Sequence, residues 1–178
     1  MKLAEVSKAN PNAILVHSGI IFDVFNPKIE DITIEDIAHA LSNICRYGGH
    51  SPKFYSVAQH SVFCSHDNVT PKEQLELLMH DASEAYLADL PRPIKRNMPN
   101  YIAIEDALLK LIFQKYDLRF PLVPNVKKVD DEVLQFEYKS FFEEPDSFFI
   151  FQTPQEARKN FINRFNYLTN LIENDSKK

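Results

Sequence analysis

The chain has 178 residues, 44% of them hydrophobic and 25% charged, with a formal charge of −5; that is enough for one domain with a substantial core. The acidic balance argues against a general nucleic-acid binder and leaves room only for a local basic pocket. No apolar run reaches membrane-spanning length, the N-terminus has no apolar signal core, and Cys45 and Cys64 form no CxxC pair. Together these point to a reduced, cytoplasmic setting.

Three glycines are few, and helix-like periodicity dominates, so the fold reads as all-α. Ala13–Phe25 carries two apolar, β-branched runs around Ser18-Gly19 and predicts a short N-terminal β-hairpin, with His17 exposed near its turn. Thr33–Tyr47 predicts a helix. Thr33 and Asp36 make an N-terminal box, Ile34, Ile37, Ala38, Leu41, Ile44 and Cys45 form the apolar stripe, and Gly48-Gly49 ends it. His39 points away from that stripe, into solvent. Arg46 and Tyr47 close the helix. Spacing alone favours a cation that complements the helix dipole; the alternative sets Arg46 on a phosphate and Tyr47 against a base or sugar.

Ser56–Ser65 predicts the next helix. His60 shares a face with Val57, Phe63 and Cys64 and so points inward. His66-Asp67 falls where this helix runs out and reads as a solvated end. His50, just after the glycine pair, is placed to line a pocket. From Pro71 a longer helix follows, with Thr70 as N-cap, Pro71 at the first helical position and Glu73 completing a capping box. Leu75, Leu77, Leu78, Met79, Ala82 and Ala85 bury it. His80, Asp81 and Glu84 lie on one arc of this apolar helix. Three ionisable groups there are costly without compensation, and a bound divalent cation would supply it.

After Ala88 the stretch Asp89–Lys95 must leave the helix, because Pro91 and Pro93 disfavour helical geometry before them. Asn100–Leu118 predicts a strongly apolar core helix. Val126–Glu143 predicts another, with Asp130 partly inward, Asp131 and Glu132 solvated, and Glu137 two turns below Asp130 as a supporting partner. Pro145–Thr153 reads as a loop with three phenylalanines, and Pro154–Glu173 as a closing amphipathic helix. The inward groups His60, His80, Asp81 and Asp130, with Glu84 beside them, suit a borderline divalent metal: zinc, manganese, cobalt or iron.

The order His60…His80-Asp81…Asp130 resembles the signature of the HD-domain metal-dependent phosphohydrolases. The string HDASEAYLADLPRPIK is the more specific part. It is similar to the HD-x-x-E…D-L-P-x-P-x-K run of bacterial 5′-deoxynucleotidases and of small phage and bacterial HD nucleotide hydrolases, such as phage dATP triphosphohydrolases. IEDIAHALSNICRYGGH and FYSVAQHS resemble the same proteins, and the similarity covers Ile34 to Lys139.

The resemblance implies a single HD domain over residues 1–178, with a hairpin at 13–25, metal-site core helices across 33–144 and a closing helix at 154–173. It implies that His60, His80, Asp81 and Asp130 hold the metal and that Glu84 orients or deprotonates the attacking water. Asp89 matches a second acidic position near that water or the sugar. Arg46 matches an arginine that contacts phosphate, and Lys95 the lysine of the P-x-P-x-K turn; Arg92 and Arg96 are further cations nearby. Tyr47 stands where the deoxynucleotidases carry tryptophan. The implied activity is hydrolysis at the 5′ α-phosphorus, as a dNTP triphosphohydrolase or a dNMP 5′-nucleotidase. An HD-fold di-iron oxygenase would need extra ligands from His39, His50 or His66, and a nucleotide-sensing protein would be expected to lack a ligand or the glutamate. The implied partners are a deoxynucleotide and further copies of the chain, as a dimer or hexamer, with no duplex nucleic acid and no membrane. The implied location is the cytoplasm, or a host cytoplasm for a phage gene.

Overall fold

The structure, a computed structural model, describes residues 10–67, 69–144 and 149–175. It is an all-α fold with a short N-terminal β-hairpin. Strands β1 (Ala13–Leu15) and β2 (Ile21–Asp23) pair antiparallel, Ile14 opposite Phe22. Gly19, at φ +88°, makes the turn. Phe22 is fully buried and stacks on Tyr86 at 4.1 Å, so alternation along β2 anchors the hairpin to the helical body. His17 is exposed near the turn, as its position predicts, but its ring stacks on His39 at 3.7 Å. His39 is therefore half-buried rather than solvated.

Helix α1 (Ile34–Asn43) starts at Thr33, whose side chain accepts from the Asp36 amide. The Asp36 carboxylate in turn accepts from the Ser18 amide at 2.7 Å and its hydroxyl at 2.8 Å, tying the hairpin turn to the helix. The helix predicted to reach Tyr47 stops at Asn43. Cys45 instead bridges Ser56, and the Arg46 amide donates to the Tyr55 carbonyl at 2.9 Å. These cross-chain bonds take the place of helical ones. Arg46–Gly49 forms a separate 3-10 turn with Tyr47 at φ 58° and Gly48 at φ 57°, so the glycines shape this turn rather than ending the helix.

Helix α2 (Val57–Cys64) is capped by Ser56 on the Gln59 amide. Helix α3 (Pro71–Met79) carries the full Thr70–Glu73 capping box with Pro71 in its first turn. The predicted run through Ala88 breaks at His80. Bonds from Ala82 to Met79, Glu84 to Asp81 and Tyr86 to Ser83, each at 3.0 Å, tighten the chain into turns before α4 (Glu84–Leu87). Ala88, at φ 84°, ends this segment. Arg92–Lys95, read as non-helical, closes one helical turn, α5, on the Pro91 carbonyl. Proline at the first positions of a turn costs no hydrogen bond.

The remaining helices are α6 (Pro99–Lys115), α7 (Pro124–Tyr138), which runs into a π turn at Lys139–Glu143, and α8 (Pro154–Asp175). Of the predicted phenylalanine loop, residues 145–148 lie outside the described residues. Helix α8 packs across α1, α2 and α3 and contributes Ala157, Phe161, Phe165 and Leu168 to the core. A smaller cluster of Cys64, Leu77, Val126 and Val129 fastens α7 to α2 and α3. Among the described residues no helix is long and apolar enough to cross a membrane.

Phe161 is fully buried where α8 crosses the bundle. Phe161→Ala is expected to lower unfolding stability by about 3–5 kcal/mol, measured by urea denaturation.

Candidate metal centre

Three helical segments converge on one point. Helix α2 presents His60, the turn after α3 presents His80 and Asp81, and α7 presents Asp130. His60 Nε2 lies 3.2 Å from Asp130 Oδ1 and 3.9 Å from Asp81 Oδ2. His80 Nε2 lies 3.2 Å from Asp81 Oδ2 and 3.6 Å from Asp130 Oδ1. Donors around an ion with bonds of about 2.0–2.2 Å are separated by roughly 3–3.5 Å; two of these pairs stand at that spacing and two are slightly wider, so the group could hold one divalent ion.

The far nitrogen of each imidazole is already engaged. His60 Nδ1 is 2.6 Å from Glu137 Oε1, and His80 Nδ1 is 2.6 Å from the Leu77 carbonyl oxygen, to which it donates. Both rings therefore aim Nε2 at the centre. His80 Nε2 is buried, makes no hydrogen bond and faces the carboxylates of Asp81 and Asp130.

The electrostatics agree. Burial opposes charge on His80, yet the carboxylates of Asp81 and Asp130 overcome it and hold the ring well above its usual pKa. For His60, burial and Arg46 oppose the charge, while the Cys64 sulfur, Glu137 and Asp130 outweigh them. Burial would raise Asp81 and Asp130, but the two imidazoles depress both. The site draws in positive charge, and in this state protons supply it.

Glu137 stands behind His60 and is fully buried. Its Oε1 also accepts from the Tyr55 hydroxyl at 2.7 Å; its Oε2 accepts from the Tyr47 hydroxyl at 3.0 Å and lies 3.4 Å from Arg46 Nη2. Burial alone would raise its pKa, but His60, Arg46 and Tyr55 push it down to about 2. Arg46 bridges inward to Asp81 at 3.6 Å, and its Nε has no partner. Burial opposes its charge, and Glu137 and Asp81 outweigh that. It is not merely the helix-end cation, complementing the dipole, that spacing favours.

A cavity of about 560 Å³ opens over the centre. His80, Asp81 and Asp130 lie on its wall together with Arg46, Tyr47, Glu84, Asp89 and Lys95; His60 is fully buried and does not line it. Glu84 is 5% exposed, and its Oε2 is buried without a hydrogen bond. Burial and the carboxylates of Asp81 and Asp89 raise its pKa well above the usual range. Asp89 is raised by burial, opposed by Arg46 and Lys95. Tyr47 turns its ring edge to Phe142 at 5.5 Å while Glu137 holds its hydroxyl. Arg92 bonds Asp130 Oδ2 at 2.9 Å and Asp131 Oδ1 at 2.6 Å, whereas Arg96 is exposed and outside the lining. His50 and His66 are exposed, and neither they nor His39 line this cavity.

Two residues escape the sequence reading. Glu105 is 7% exposed and holds Lys95 Nζ at 2.6 Å, with Glu84 Oε1 4.0 Å from the same ammonium. Its signal was an acid between Ile104 and Leu108 on an apolar helix. Cys64 Sγ lies 3.5 Å from His60 Nε2, and ligand atoms of His60, Cys64, His80 and Asp130 all fall within 4.8 Å of one another. Its signal was the four-residue spacing from His60.

No family model matches this sequence. It is 40% identical over 157 residues to the uncharacterized protein YfdR of Escherichia coli, covering 80% of this chain and 87% of that protein. It is 31% identical over 120 residues to an uncharacterized protein of Rhodobacter capsulatus, covering 62% of this chain and 61% of that protein.

Glu137→Gln is expected to cost about 3 kcal/mol at pH 7, because the fold holds this carboxyl down at about 2. A depressed acid stabilises the fold above its unfolded pKa and loses that contribution as pH falls. Urea denaturation of both proteins should therefore show their difference narrowing from pH 5 down to pH 3.

Proposed function

The chain belongs to the same family as YfdR, and we propose that it is a divalent-metal-dependent phosphohydrolase of deoxynucleotides, with the chemistry of the HD-domain enzymes its motifs resemble. The observation that carries this reading is the convergence of His60, His80, Asp81 and Asp130 at donor spacings of 3.2–3.9 Å beneath an open cavity, with the last three on its wall. A plain helical bundle has no use for two imidazoles and two carboxylates aimed at one point. Two imidazoles with a sulfur nearby favour zinc, cobalt, iron or manganese over calcium or magnesium. When bound, such an ion would polarise a phosphoryl oxygen and acidify a water.

The chain's own groups supply the rest. Glu84 offers a buried, unbonded Oε2 on the cavity wall, suited to take a proton from the attacking water and return it to the leaving oxygen. Arg46, locked between Glu137 and Asp81, presents fixed positive charge to the phosphoryl group. Lys95, tethered by Glu105, adds a second cation, and Asp89 lies on the same wall. Tyr47 provides an aromatic wall for the sugar or base. The cavity volume of about 560 Å³ accommodates a nucleotide. Attack at the α-phosphorus releases phosphate from a monophosphate or triphosphate from a triphosphate. Arg92 at the mouth favours the longer phosphate chain.

The deciding assay loads the protein with zinc, manganese or cobalt in turn and incubates it with all dNMPs, dNTPs, NMPs and NTPs. Triphosphate with a deoxynucleoside identifies a dNTP triphosphohydrolase; phosphate from dNMPs identifies a 5′-deoxynucleotidase. No product from protein with measured metal content overturns the reading. Chelation should abolish turnover and metal addition restore it. Glu84→Gln should lower kcat by about 10²–10⁴-fold with metal content unchanged, whereas His80→Ala and Asp130→Ala should lose both metal and turnover. Near-normal turnover by Glu84→Gln would remove it from the proposed role.

A further inference from the structure

A second cavity, of about 650 Å³, lies against a different face of α2 from His60, within the size range of small-molecule sites. Among the described residues its lining holds no aspartate or glutamate. Arg164, from α8, is on its wall. Arg164 Nε donates to the Ser65 hydroxyl at 3.0 Å, and Nη2 donates to the Ser65 carbonyl and to Gln74 Oε1 at 3.1 Å. All three acceptors are neutral. Among the described residues Nη1 has no partner, and no carboxylate lies within ion-pair distance of Arg164. By contrast Arg46, Arg92, Lys95 and Arg119 each sit beside a carboxylate. His66 lines the same cavity, and burial and the Arg164 charge both hold it in its neutral form. A part-buried guanidinium with neutral partners and an open N–H is a place for an anion.

The rest of the lining is aromatic and amide. Phe63 and Phe136 stack with centroids 5.6 Å apart and planes 14° apart, and are 43% and 44% exposed. Both leave ring surface exposed to this cavity. Tyr167, 57% exposed, stacks its ring under Arg164 at 5.5 Å. Gln152 Oε1 is buried with no hydrogen bond and calls for a donor. Exposed aromatic rings, a cation without a carboxylate partner and an unbonded acceptor together describe a ligand: an aromatic ring with N–H donors that carries an anionic group.

We propose that this cavity binds a nucleoside monophosphate or a molecule of the same chemistry, its phosphate at Arg164 and its base against Phe63 and Phe136. The site connects to the metal centre. Tyr55 lines the second cavity and donates to Glu137 Oε1, the oxygen that also holds His60 Nδ1. A ligand that shifts Tyr55 shifts the support of a metal-binding ring.

The test is calorimetric titration of dAMP into metal-loaded, full-length Glu84→Gln protein, where turnover is suppressed. Two equivalents should bind, one per cavity. Asn163→Trp fills the second cavity from a position on α8 that lines it and should remove one equivalent. Arg164→Gln should weaken the same equivalent at least tenfold, about the worth of a hydrogen bond to a charged group. Adenosine and inorganic phosphate should each bind that site at least tenfold more weakly than dAMP. With cobalt as the metal, filling the second site should shift the visible spectrum. A second equivalent untouched by Asn163→Trp, or absent from the parent protein, would overturn the proposal, as would phosphate binding as tightly as dAMP. Loss of binding at the metal centre alone, with the second equivalent intact, would overturn the proposed hydrolase and leave this site standing.

Discussion

The contact on which the centre depends is the buried pair of His60 and Glu137, 2.6 Å apart. A carboxylate with no exposed surface is expensive to bury alone. Here its two oxygens are shared by an imidazole, two tyrosine hydroxyls and a guanidinium. The arrangement draws α2, α7, Tyr55 and the Arg46–Gly49 turn to one point. It also turns His60 Nε2 toward Asp130. Glu137 and Asp130 are seven residues apart on α7, two helical turns, so one helix carries both a candidate ligand and the support of another.

The second organising constraint is charge balance within the cavity. Its wall is rich in acids, and three of its cations each sit between two carboxylates. Arg46 lies between Glu137 and Asp81, Lys95 between Glu105 and Glu84, and Arg92 between Asp130 and Asp131. Pairing fixes these cations in place, which lowers the cost of ordering them around a ligand. The second cavity has the opposite character, with a guanidinium on neutral partners and, among the described residues, no acid on its wall. Tyr55, on the wall of the second cavity, donates to the same Glu137 oxygen that holds His60.

The break after Met79 has a matching logic. An unbroken helix would leave the Leu77 carbonyl committed to an amide four residues on. The 3-10 bonding after Met79 accompanies the bond from His80 Nδ1 to that carbonyl at 2.6 Å. The ring is thereby held by its own backbone, and Asp81 is half-buried at the cavity rather than sealed in the core.

The sequence by itself determined what local chemistry can decide. Thr33, Ser56 and Thr70 mark helix starts because a hydroxyl caps free amides a few residues away. Apolar spacing placed His60, His80 and Asp130 on inward faces, and the structure brings them together, with Asp81 and Glu84 on the cavity beside them. Tertiary contacts decided the rest. α1 ends at Asn43 because the Arg46 amide bonds Tyr55, and that end carries Arg46 from a helix terminus into the centre. Glu105 and Cys64 take their places because other elements bring Lys95 and His80 to them. The second cavity exists only where α2, α7 and α8 meet. Periodicity reports which face of one helix is apolar; it holds no information about which other helix will supply the partner across the gap.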